Sequence, residues 1–205
     1  MLHALRGRIA AAGADLDRGS AIAASLGLGP GSRMIASFAR DRAALDTIAG
    51  RPEAAIAKLE PLLAQRQRGE RGAAGPRALS YAAIAEARLA QGRAREGEQA
   101  AREALAELDV PARRYLVEEV AVAQTALARA LAAQRRCGEA LPALAETVTL
   151  YRRTQVPGSP WLGEAYALEA SCLHDVGRTA EARERLAAAR AIYASAGPLN
   201  APMMR

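Results

Sequence analysis

Aromatic residues are nearly missing from this chain: one Trp, one Phe and five Tyr among 205 residues. Strands draw on aromatic and β-branched side chains, so this scarcity disfavours a sheet protein. It also removes the platforms on which bases stack, and with no base-reading motif it weighs against nucleic acid as the partner. Cysteine is limited to Cys137 and Cys172, which form no CxxC and no Cys/His cluster. Their spacing fits neither a zinc site nor a disulfide framework, and the expectation is two reduced thiols in a cytoplasmic protein. No apolar run approaches the roughly 18 residues that cross a bilayer. Arg6 and Arg8 precede the apolar residues 9–16, but Gly13 and Asp15 interrupt them, which makes a poor signal peptide. The glycines at 27, 29 and 31 lack the strand and the spacing of a nucleotide loop, so that stretch reads as a connector.

Alanine supplies much of the 51% hydrophobic content, and it is the best helix former. Basic residues number 28 against 22 acidic, a net charge of +6, and every cation except Lys58 is arginine. Arginine pairs bidentately with carboxylate and phosphate, so an acidic surface is a conceivable partner. Mixed Glu and Arg at helical spacing read more simply as solvated faces. Through this background runs an echo: Gly7-Arg8, Gly50-Arg51, Gly92-Arg93, Arg135-Arg136 and Gly177-Arg178, at intervals of 43, 42, 43 and 42 residues. A near-constant period of this length marks a helical repeat array.

The unit is clearest over residues 78–109. Tyr81, Ile84, Ala85, Arg88 and Leu89 recur at three- and four-residue spacing, the pattern of an amphipathic helix. Gly92 suits a helix-ending positive φ, a second helix follows from Glu96, and Asp109-Val110-Pro111 stops it. The chain therefore divides into a half repeat (1–28) and four repeats (32–68, 78–112, 121–154 and 163–196) within a single array covering residues 1–205. Pro61 should bend or shorten the second helix of its unit. Residues 65–76 read as a polar, glycine-rich loop, and Trp161 as part of a connector just before a first helix. The half repeat at the start and the abrupt finish suggest a piece of a longer protein, or self-association through open ends.

Tyrosine stands at the fourth position of two first helices (Tyr81, Tyr166). Small residues occupy the eighth position (Ala43, Ala85, Ala128, Ala170) and the twentieth (Ala55, Gly97, Ala140, Ala182). In this the chain resembles the tetratricopeptide repeat, with the longer unit of the kinesin-light-chain type. Gln124 departs from the pattern at the aromatic position, and Phe38 lies one place out of register. The resemblance implies an all-α fold, a right-handed superhelical solenoid of antiparallel helix pairs with first helices lining a concave groove. It implies a binding scaffold for a protein or peptide, with no enzyme activity and no cofactor. In bacteria such arrays often form the C-terminal sensor or docking region of a larger kinase or transcriptional regulator. A binder of nucleic acid or of an acidic surface ranks third.

On that resemblance Arg40, Glu86, Arg129, Glu164 and His174 are the charged groove-lining candidates. Some members of the family clamp a partner's terminal carboxylate with lysines and asparagines at the fifth and ninth positions. Those positions do not match here. His174-Asp175 gives no catalytic pair, because adjacent residues point to different sides of a helix and no nucleophile accompanies them. Cys172 and His174 likewise do not share a helix face.

Overall fold

A computed structural model describes residues 9–29, 32–64, 74–154 and 158–195. Among them are nine α-helices, one short 3-10 helix and no strand. In chain order the helices are α1 (Ile9–Ser25), α2 (Arg33–Ile48), α3 (Pro52–Ala64), α4 (Ala74–Ala90), α5 (Ala94–Glu107), α6 (Val117–Ala133), α7 (Cys137–Thr154), α8 (Pro160–Asp175) and α9 (Thr179–Ser195); the 3-10 helix, Pro111–Tyr115, precedes α6. Helices pair as α2/α3, α4/α5, α6/α7 and α8/α9, and each second helix packs on the first helix of the next pair. The first helices α2, α4 and α6 also lie against their successors or predecessors in turn, whereas α6 and α8 barely touch. The result is an all-α helical repeat solenoid. The expected Gly7-Arg8 turn, residues 65–73 of the expected loop and the tail from 196 onward lie outside the described residues.

The repeating turn has a single physical origin. Gly50, Gly92 and Gly177 adopt φ of 73°, 74° and 82°. In each case the next residue donates its backbone N–H five residues back: Arg51 to Asp46, Arg93 to Arg88, Arg178 to Leu173. The glycine N–H reaches three residues back, and together the two bonds satisfy carbonyls that the helix end would leave bare. The third turn is built identically, with Arg136 bonded to Leu131, but its left-handed position holds Arg135 at φ 61°. A side chain there costs about 1–2 kcal/mol relative to ordinary backbone. Arg135→Gly is therefore expected to raise stability by about 1 kcal/mol, read as a higher urea midpoint. The arginine that follows has its own task. Arg93, Arg136 and Arg178 reach the glutamates three residues on, Glu96, Glu139 and Glu181, in the first turn of the second helix.

The small-residue positions are where the paired helices approach. Ala43, Ala85, Ala128 and Ala170, with Ala55, Gly97, Ala140 and Ala182, are all buried. A Cβ on Gly97 would stand 3.1 Å from Leu89 Cγ and 3.2 Å from the Ala85 carbonyl oxygen. Large side chains are few inside: Leu59, Leu108 and Leu144 are the fully buried leucines. One apolar cluster runs from Ala43 to Leu144 and takes in Cys172. A smaller one gathers Ala121, Val148, Tyr151, Ala165, Tyr166, Ala189 and Tyr193.

Three local readings are corrected. Helix α4 begins at Ala74, four residues before the expected start, because Pro76 in a first turn forfeits no helical bond and Gly75 packs against Leu116 and Glu119. Pro61 does not end α3, which runs on to Ala64; the missing N–H falls in the last turn. Trp161 belongs to the first turn of α8, behind Pro160, and is 44% exposed.

Asp46, near the end of α2, is buried and receives Arg51 (2.7 Å) and Lys58 (2.7 Å). Burial pushes its carboxyl up, but the hydrogen bonds from Lys58 and Arg51 outweigh that and hold it below the usual carboxylate range. A depressed folded value means stability that is complete above the unfolded value, about 3.9, and is lost as pH falls through the folded one. Asp46→Asn is expected to flatten the fall in urea midpoint below about pH 4 relative to the parent chain.

Candidate protein-binding face

Three of the five charged residues expected in the groove meet. Arg129 of α6 donates Nη1 to Glu86 Oε2 of α4 at 2.8 Å, and its Nη2 contacts Glu164 Oε1 of α8. The ladder crosses three successive first helices. It forms because the ninth positions of α4 and α6 stand side by side, and an arginine between two carboxylates satisfies both with one planar fork. Its members are only partly covered: Arg129 is 37% exposed and Glu164 21%. At that exposure the bonds add little to stability, about 0.5–1 kcal/mol together. What they fix is the lateral spacing of the face.

Arg129→Gln removes the cation and leaves two carboxylates facing each other across its place. The expected outcome is a urea midpoint lowered by about 0.5–1 kcal/mol equivalent at low salt, with added salt closing the gap to the parent, since screening relieves the repulsion.

The other two candidates stand apart. Arg40, in α2, is partly buried, and its Nη1 is enclosed without a hydrogen bond. Burial pushes its guanidinium below the ordinary value, with Asp41 acting the other way. His174 is exposed in the last turn of α8 and joins neither the ladder nor Arg40. The face thus offers separate charged points.

Elsewhere the arginine excess is mostly absorbed by local pairs. Glu98 of α5 is the densest case: Arg102 of the same helix, Gln134 and Arg136 of the next repeat all converge on it at 2.7–2.8 Å. Burial raises its carboxyl, yet these donors hold it below the usual range. A cleft of about 500 Å³ lies between the 3-10 helix, the start of α6 and the end of α7. Arg113, Arg114 and Arg153 line it over a floor of Val117, Val120 and Leu150, with Glu146 the one acid. Glu146 is hydrogen-bonded to Gln124.

Gln124 was visible in the sequence as a departure from the aromatic position. Its role was not. It is buried, accepts from Thr147 Oγ1 at 3.2 Å and donates to Glu146, a polar tie inside a hairpin at a position where the second and fourth hairpins carry Tyr81 and Tyr166. Sequence reasoning also missed that Cys137 and Cys172 meet, with Sγ atoms 2.8 Å apart. Spacing of 35 residues hides this. The signal was in the register, since the start of one second helix lies beside the end of the next first helix. No group of three or more metal-binding side chains occurs among the described residues, and no described helix is long and apolar enough to cross a membrane.

Paired helices with glycine turns, stacked so that first helices share a face, define a helical repeat solenoid of the tetratricopeptide class. Residues 119–195 match the tetratricopeptide-repeat family directly. A crystal structure of a kinesin light chain from Podosopora anserina, described as nearly identical TPR-like repeats, is similar over 96% of this chain and 92% of that one, at 22% identity and a TM-score of 0.56. BtubC (BKLC) from P. vanneervenii is similar over 92% of this chain and 73% of that one, at 19% identity and a TM-score of 0.67. Residues 119–195 thus match tetratricopeptide repeats, and the chain has a fold similar to that of kinesin-light-chain-type repeat arrays. No curated protein matches it. Folds of this class generally serve protein–protein interaction.

Proposed function

We propose that this chain is a non-catalytic scaffold that binds a protein or peptide along the face formed by first helices α4, α6 and α8. The observation that carries the reading is the Glu86–Arg129–Glu164 ladder, which holds three helices at fixed spacing and leaves both signs of charge partly exposed. A segment that fits it carries an alternation of charged and apolar side chains, is read without a cofactor, and meets the protein in the cytoplasm. Within a larger regulator, the same face would hold a segment of the same polypeptide. The test is a photo-crosslinking residue placed at Ser171, exposed in α8, or at Arg183, exposed in α9. Crosslinked partner is expected from position 171 and not from 183; the reverse pattern overturns the reading.

The cleft supports a second reading, a site for an acidic segment of a partner. Arg113 and Arg153 pair with no carboxylate among the described residues, where more than half of the described arginines do. An Asp/Glu-rich peptide should bind with an affinity that falls steeply with salt. Loss of that binding in Arg113→Glu, with capture at position 171 intact, would separate the two sites.

A further inference from the structure

Cys137 is the first residue of α7 and Cys172 lies in the last turns of α8, so the pair spans the third and fourth repeats. Both thiols are buried, and their Sγ atoms stand 2.8 Å apart. Cys172 is the buried residue through which the larger apolar cluster reaches α8. Around the pair sit Asp175, whose Oδ2 is 3.5 Å from Cys137 Sγ, and Arg135, 3.9 Å from the same oxygen. Arg135 is largely in solvent and holds the left-handed turn two residues before Cys137. The approach to the sulfur thus lies beside the turn whose left-handed position, alone among the described residues, holds a side chain larger than glycine's.

We propose that Cys137 and Cys172 are an oxidation site, converted by a peroxide-class oxidant into a disulfide that staples α7 to α8. Cys137 acts first. Its thiol gives up a proton toward Asp175, and the thiolate sulfur attacks one peroxide oxygen. The O–O bond breaks, Cys137 becomes a sulfenic acid, and the second oxygen leaves as water after taking up the proton. The Cys172 sulfur then attacks the sulfenic sulfur, forming the S–S bond, and the hydroxyl departs with the Cys172 proton as a second water. Two thiols and one peroxide yield one disulfide and two waters. The order follows from the surroundings: burial, with the neighbouring Cys137 and Asp175, pushes the Cys172 thiol up to about 12, whereas the rise that burial and Asp175 give Cys137 is offset in part by its hydrogen bond with Cys172 and, less, by Arg135. Thiolate is the reactive form, so the less perturbed thiol is the attacker.

The consequence is local. First helices α6 and α8 barely touch, so the third and fourth repeats are joined mainly through α7. A covalent tie at Cys137–Cys172 closes that junction and fixes the spacing that Arg129 bridges to Glu164. The crosslink does not depend on the binding reading.

The test treats the purified chain with hydrogen peroxide and maps peptides without reduction. The expected product is a peptide pair joined through Cys137 and Cys172 in a monomer, reversed by dithiothreitol. Amide exchange in the last turn of α8 should slow by roughly 30-fold in the oxidised chain, the effect of a modest disulfide. Cys137→Ala and Cys172→Ser should each abolish both the linkage and the slowing. Thiols left free, sulfinic acid on either residue, or a linkage between two chains would overturn the proposal.

Discussion

Leu144→Ala should cost about 2–5 kcal/mol of unfolding free energy, measured as a drop in urea midpoint. Leu144 is fully buried in α7, and among the described leucines only Leu59 and Leu108 match it. An alanine-rich interior has few long side chains able to lean into a vacated volume, so the cavity term stays near its full size. Set against a typical total of about 5–15 kcal/mol, this is enough to unfold the surrounding repeats under mild denaturant. The chain carries its own control. Leu59, Leu144 and Leu186 occupy one repeat position, yet Leu186 on α9 is 39% exposed because no described helix packs beyond it. Leu186→Ala should cost less than about 1 kcal/mol. Equal losses at 144 and 186 would mean that burial at this position does not depend on the following repeat.

Gly97→Leu tests the opposite failure. At Gly97 α5 approaches α4 so closely that a Cβ meets the Ala85 carbonyl oxygen at 3.2 Å. A backbone atom cannot rotate aside as a side-chain end can. A leucine must force the hairpin open, at a cost of about 3 kcal/mol, the upper part of the range for overpacking. Gly97→Ala sets a gain of about 0.5–1 kcal/mol from a stiffer unfolded helix against that tight contact, and should leave the urea midpoint near its parent value. A tolerated leucine would show that the two helices can separate freely.

The hairpin rhythm was legible because a single requirement, positive φ at the helix end, returns at a fixed interval and is met by glycine three times out of four at residues 50, 92, 135 and 177. The buried eighth and twentieth positions were legible for a similar reason, since close approach tolerates only small side chains. Helix starts were less so: Pro76 and Pro160 look like breakers in sequence, yet each sits in a first turn where it does no harm. On the candidate face, sequence register named Glu86, Arg129 and Glu164 but could not say that one guanidinium joins both carboxylates. That depends on lateral distances between helices about 40 residues apart in the chain. His174 shared the expected register and still stands alone, because pairing needs an opposite charge on the neighbouring helix as well as a position.

The uneven contact between successive first helices has a mechanical side. Pulled from its two ends, the array would not part at once along its whole length. At the junction of the third and fourth repeats neighbouring first helices scarcely meet, so the last hairpin is held mainly through α7. Under tension the last hairpin should peel away as one step while the middle pairs stay stacked, and the force trace would show that rip separately from the loss of α1.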